Sequence, residues 1–189
     1  METKTYKIIY CDPPWAYKVW SDKGASRSAE TYYTTMEDVS KIDISMITDK
    51  DCVLLMWAIF PCLQEALKLG KDWGFVYKTV AFTWIKKNTQ SNTNFVGMGY
   101  YTRANAEICL LFTKGKPLKR HSKGVQQVIE HKIGKHSQKP HEARKRIVQL
   151  FGDIPRVELF ARSREGMFSD MEYEGWDVFG NQVKNSIVL

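Results

Sequence analysis

Residues 6–15 read Tyr-Lys-Ile-Ile-Tyr-Cys-Asp-Pro-Pro-Trp. The first six are rich in β-branched and aromatic side chains, the composition of a buried strand. Proline has no N–H for a central ladder, so Pro13 and Pro14 stop the strand at Asp12. A carboxylate therefore stands at the carboxyl end of a buried strand, where open α/β sheets bind their ligands. A rigid turn and an aromatic ring, Trp15, follow. Acid, turn and ring together suit the gripping of a planar base that carries an amino group.

Outward from this stretch the chain alternates apolar strands and helical segments. Residues 16–34 are polar and aromatic and read as a loop over a site, followed by a short helix over 36–42 whose start, Thr35 with Asp38, has a capping pattern. Cys52–Ala58 reads as a second buried strand. Pro61 and Gly74 bracket a helix over 62–73, with Leu63, Ala66, Leu67, Leu69 and Trp73 near helical spacing. Strands are expected at 75–85, 107–113, 125–131, 156–161 and 176–179, and a helix runs from Pro140 to Phe151 with Gly152 as its stop. Residues 88–104 show no period and read as a loop. The fold class is α/β with a mostly parallel sheet and a hairpin region in the middle, built as one domain over 1–189.

Composition narrows the function classes. The 189 residues are 43% hydrophobic and carry a net charge of +7. The longest apolar run, Cys52–Phe60, is far short of a membrane span, and the N-terminus has no signal-peptide core, so a cytoplasmic protein with no membrane partner is expected. The four cysteines form no Cys-x-x-Cys pair and read as buried reduced thiols. His131, His136 and His141 are evenly spaced, but no carboxylate or cysteine cluster joins them, and no metal is expected. Charge is concentrated: residues 114–146 carry a net +9, more than the whole chain. A basic block inside a balanced chain points to a polyanion, although charge alone also admits a solvated loop.

Asp12-Pro13-Pro14-Trp15 resembles the signature of the S-adenosylmethionine-dependent methyltransferases that act on the exocyclic amine of adenine, in the family of the mRNA adenosine-N6 methyltransferase catalytic subunit. The chain looks most like the short bacterial and phage members. Further matches are Tyr33-x-Thr35-Met36, Trp84-Ile85-Lys86, Glu107 with Cys109-Leu110 and Lys114-Gly115, His136-Ser137-Gln138-Lys139-Pro140, Val157–Arg162 and Gly180-Asn181-Gln182. Two features depart from the pattern. A glycine-rich loop is weak, with Gly166 alone after Arg162, and the family's Arg-Asn-x-x-Glu reads Arg103-Ala104-Asn105-Ala106-Glu107.

The resemblance implies a Rossmann-like methyltransferase fold in permuted order, with the catalytic motif before the cofactor strand. It implies S-adenosylmethionine as cofactor and methyl transfer to adenine N6 in DNA. RNA as substrate, a non-catalytic nucleic-acid-binding subunit and cytosine-N4 chemistry are the alternatives. An adenine amine is a poor nucleophile because its lone pair is delocalised. Asp12 and the Pro13 carbonyl would accept its two hydrogens and favour a pyramidal nitrogen, Pro14 would stiffen the turn, and Trp15 would stack on the base. Cofactor roles fall to Ser137, Lys139, Glu158, Phe160, Arg162, Arg164, Asn181 and Gln182. Substrate roles fall to Tyr17, Tyr33, Arg103, Lys119 and Arg120, with residues 88–135 as nucleic-acid-recognition loops. The expected assembly is a monomer or homodimer in a bacterial or phage-infected cell.

Overall fold

The computed structural model describes residues 4–15, 39, 41–134, 138–162, 173–181 and 183–189. Among these, seven strands, β1 (Tyr6–Cys11), β2 (Thr48–Ala58), β3 (Val76–Lys87), β4 (Glu107–Lys114), β5 (Val128–Lys132), β6 (Arg156–Leu159) and β7 (Asp177–Phe179), lie in one sheet ordered β5-β3-β4-β2-β1-β6-β7. Within it β4 runs against both neighbours, β2 and β3, and the other four pairings are parallel. The mostly parallel α/β class is thus the observed one. The reversal at β4 is the hairpin region expected in the middle of the chain.

The side chains alternate as a sheet buried on both faces requires. Ile9, Cys11, Leu54, Met56, Leu110 and Phe112 join the helix α1 (Leu63–Asp72) in one apolar layer. Ile8, Tyr10, Val53, Leu55, Trp57 and Cys109 join the helix α2 (His141–Phe151) in the other. Both helices end where the glycine pattern places the stop. Gly74 adopts φ +83° after α1, with Phe75 N–H on Gly70 O (3.0 Å) and Gly74 N–H on Lys71 O (2.9 Å), a Schellman closure. Pro140 caps α2, and Gly152 follows it at φ +84°.

Some boundaries differ from the expected ones, each for a local reason. β2 begins at Thr48, four residues early, because Tyr6 pairs with Thr48 across a register shift in β1. β5 begins at Val128 rather than Val125, where Arg146 of α2 donates to the carbonyls of Gln126 and Val128. β6 ends at Leu159, because Phe160 turns to φ +60°. Of the expected helix over 36–42, residues 39, 41 and 42 are described: Val39 is helical, and the Ile42 N–H bonds Val39 O (3.2 Å) in the turn that follows. Trp57, Trp73 and Trp84 are all buried, as core residues rather than ligand platforms. The four cysteines are buried thiols. No described helix is long and apolar enough to cross a membrane.

Candidate active site

Parallel strands β1, β6 and β7 end on the same side of the sheet, and a cavity of about 310 Å³ opens there. Asp12 and Pro14 form one wall. Phe160, Arg162, Phe179, Gly180 and Asn181 form the wall beyond β6 and β7, with Val39, Ile42 and Asn185 completing the lining. This is the crevice outside the carboxyl ends of a parallel sheet, where α/β proteins take their ligands. Phe160 is a bulky residue held in the left-handed region, a conformation that persists only when its surroundings impose it. Beside it, Ala161 N–H bonds Phe179 O at 3.0 Å. A Cβ on Gly180 would lie 2.2 Å from Ala161 O, so the two strand ends approach this closely because residue 180 is glycine. The Asn185 side chain accepts the Gly180 N–H (2.8 Å) and fixes the last turn.

A row of alternating charges runs from Asp12 across the same edge of the sheet. Lys139 Nζ donates to Asp12 Oδ2 at 2.7 Å and lies 3.2 Å from Glu107 Oε2. Lys86 Nζ donates to Glu107 Oε1 at 2.5 Å. Lys86 lies near the end of β3 and Glu107 starts the antiparallel β4, so the reversal at β4 is what brings them together. Burial alone would raise the Glu107 carboxyl, but the ammonium groups of Lys139 and Lys86 outweigh it and hold the group below its usual range. Burial opposes the charge on Lys139 as well, and Asp12 with Glu107 reverses that and holds its ammonium above the usual lysine value. Asp12 is thus the terminal carboxylate of a buried ion-pair row and faces the cavity.

Several residues stand elsewhere than the sequence reading placed them. Trp15 is 6% exposed, packs in the α1 layer and donates its indole N–H to Trp57 O at 2.9 Å. Its ring is core, and the stacking role is corrected to one of anchoring the Asp-Pro-Pro turn. The Glu158 carboxylate is taken by Arg144 of α2 in a two-pronged pair (2.5 and 2.7 Å) under Tyr10 and Tyr173, so it ties β6 to α2 rather than lining the cavity. The Tyr173 hydroxyl in turn donates to the Arg162 carbonyl (2.6 Å) and accepts the Arg162 N–H (3.2 Å), which fixes the backbone of an arginine in the cavity wall. Lys139 acts through Asp12 and Glu107, and is not itself among the lining residues. Arg103 is exposed on the loop between β3 and β4. Lys119 and Arg120 are exposed beyond Lys114, the far end of β4, about 24 Å along the strand from Glu107. They do not share the cavity with Asp12. Tyr17, Tyr33, Ser137, Arg164 and Gln182 lie outside the described residues.

Sequence reasoning missed Asn185, Arg144 and Tyr173 and gave Lys86 and Glu107 no role of their own. The available signal was a charge at the end of each apolar strand, Lys86 and Glu107, which a buried edge tolerates only if paired.

The MT-A70 family profile matches residues 6–182. The chain belongs to the MT-A70 family. A type II methyltransferase from a Mycoplasma species, M.MunI, is 33% identical over 97% of this chain and 80% of its own length. A putative N(6)-adenosine-methyltransferase MT-A70-like from Medicago truncatula is 26% identical over 94% of this chain, which spans about a quarter of that longer protein (26%). The enzyme class that comes with MT-A70 membership is methyltransferase, and the mostly parallel, Rossmann-like sheet, in which β1 and β6 are neighbours, is its framework.

Proposed function

We propose that this MT-A70 protein transfers a methyl group from S-adenosylmethionine to the N6 amine of adenine in DNA. The observation that carries the reading is the shared cavity: the carboxylate expected to hold the amine and three residues expected to hold the cofactor line one space. Phe160 and Phe179 supply apolar walls, Arg162 a cation for a carboxylate, and Asn181 and Asn185 amides for ribose hydroxyls, a donor set that fits the cofactor. When bound, that cofactor supplies an electrophilic methyl on a cationic sulfur.

The remaining work belongs to the chain. Asp12 Oδ2 takes the Lys139 ammonium, which leaves Oδ1 to accept one amine hydrogen. The Pro13 carbonyl accepts the Trp15 N–H at 2.8 Å and has a second lone pair for the other hydrogen. Both acceptors are fixed before the base arrives, by the prolines, by the ion-pair row and by the buried indole, so little reorganisation remains at transfer. Asp12 orients the amine, and after the methyl is in place the excess proton on N6 passes to water. An adenine inside a duplex cannot reach this edge, so the base is extruded or the strand is single. Within the expected range 88–135, β4 and β5 belong to the sheet, and the loops over 88–106 and 115–127 supply the recognition contacts.

The Medicago relative is named as an adenosine-methyltransferase, which favours RNA as the second reading. The intact Asp12 and its cavity disfavour a non-catalytic subunit. Mass-spectrometric nucleoside analysis of DNA and RNA from cells expressing the chain separates these. N6-methyldeoxyadenosine in DNA is expected. Product in RNA alone moves the assignment to RNA, and N4-methylcytosine or no product overturns it.

A further inference from the structure

Between β3 and β4 the chain leaves the sheet and returns as a latched finger. Phe95 N–H bonds Lys86 O (2.9 Å), and Gly97 N–H bonds Ala104 O (2.7 Å). Asn105, the residue shifted from the family pattern, is the latch. Its side-chain oxygen accepts the Lys86 N–H (2.9 Å), and its amide donates to Lys86 O (2.9 Å) and Phe95 O (2.5 Å). A base so firmly held carries an apolar tip in water: Met98 is 69% exposed, Tyr100 69% and Tyr101 93%, and the two tyrosine rings meet edge to face with centroids 4.8 Å apart. Exposed aromatic tips on rigid supports mark contact surfaces.

Two observations identify the partner. Residues 88–106 contain no Asp or Glu, and Arg103 stands beside the tip. Next to the finger lies a second cavity, of about 460 Å³, walled by Lys87, Asn92, Glu130, His131 and Lys132, in which Lys87 lies 3.3 Å from the Glu130 carboxylate. A second copy of the chain would bring the same positive charge to this face, whereas a polyanion complements it. The finger is also rooted beside the catalytic carboxylate. Lys86, which holds the latch through its backbone, holds Glu107 through its ammonium, and Glu107 reaches Asp12 through Lys139.

We propose that the finger is a wedge for duplex DNA. Tyr100 and Tyr101 enter the base stack beside the target adenine and occupy the gap left when it is extruded, and the exposed Lys132 at the edge of the second cavity meets a neighbouring backbone phosphate. This rests on the methyl-transfer reading above and adds the device that opens the duplex.

Short unmethylated DNA fragments, supplied as duplex or after heat denaturation, test it. A Tyr100→Ala/Tyr101→Ala variant, its fold checked by circular dichroism, should lose about tenfold or more of kcat/KM on duplex. It should methylate denatured strands at the wild-type rate. Tyr100→Phe/Tyr101→Phe keeps the rings and should keep duplex activity. Equal losses on both substrates, or none on either, would overturn the wedge. Equal losses accompanied by conversion of a wild-type dimer to a monomer in sedimentation would assign the tip to a second copy instead. Wild-type protein inactive on both forms would remove the methyl-transfer reading itself, and the wedge with it.

Discussion

Asp12 ends a row of four charged groups, Lys86, Glu107, Lys139 and Asp12, whose signs alternate and whose sum is zero. The row lets a cavity hold an ionised carboxylate without an uncompensated charge. Asp12→Asn keeps the shape and removes the charge, and should lower kcat by about 10²–10³ while leaving cofactor affinity nearly unchanged, as read by single-turnover kinetics and calorimetry. Lys139→Met takes the cation from Asp12 and leaves Glu107, 7% exposed, with Lys86 alone, and should cost about 3 kcal/mol in urea unfolding; adding Glu107→Gln should recover part of it. Glu107 also sets an acid limb. Its folded carboxyl titrates below the ordinary 4.5, so the stability it contributes is complete above 4.5 and is lost as pH falls below that value toward the depressed folded one. Glu107→Gln should flatten the pH dependence of unfolding free energy in that window.

Among elements, the ends of β6 and β7 carry the cavity, and two devices hold them. One is the Arg144–Glu158 pair, with both side chains under a tenth exposed, which ties α2 to β6 beneath the site. The other is the close approach of Gly180 to Ala161. Gly180→Ala places a methyl 2.2 Å from the carbonyl of Ala161, whose own N–H is bonded to Phe179 O, so β7 must move away from β6. Destabilisation of about 1–3 kcal/mol and a weaker complex with S-adenosylmethionine are expected, by thermal unfolding and calorimetry. The strand–helix sequence was legible beforehand because its signals are local: apolar runs, prolines that stop ladders, glycines that close helices. Glu158 shows where that reading fails. A carboxylate in an apolar strand looks like a ligand group, and its true partner, Arg144, lies on a helix whose face toward the sheet follows from packing.

For the whole molecule, the basic block of residues 114–146 divides once folded. Lys139 and Arg144 are taken up by internal pairs, and Arg146 by Glu142 and two carbonyls. Lys119 and Arg120 remain exposed at the end of the sheet opposite Asp12. A strand long enough to pass both ends would touch them without bringing them near the chemistry. Lys119→Ala/Arg120→Ala should therefore reduce the slope of log affinity against log salt by about 0.9 for each phosphate no longer neutralised, with turnover at saturating DNA unchanged. Fluorescence anisotropy across a salt series measures this, and an unchanged slope would leave the loop a solvated face.

By itself the sequence determined the α/β class, most of the element order, the carboxylate at a strand's end and the residues at the ends of β6 and β7, because periodicity and backbone-restricted residues act over a few positions. Only the tertiary structure decided which charges neutralise one another and which ring is core. The partners Asp12 and Lys139 are 127 residues apart, and the antiparallel return of β4 and the order of seven strands bring such groups within bonding distance. Trp15 is the same case in reverse: the motif names the ring, and the carbonyl of Trp57, 42 residues on, turns it inward.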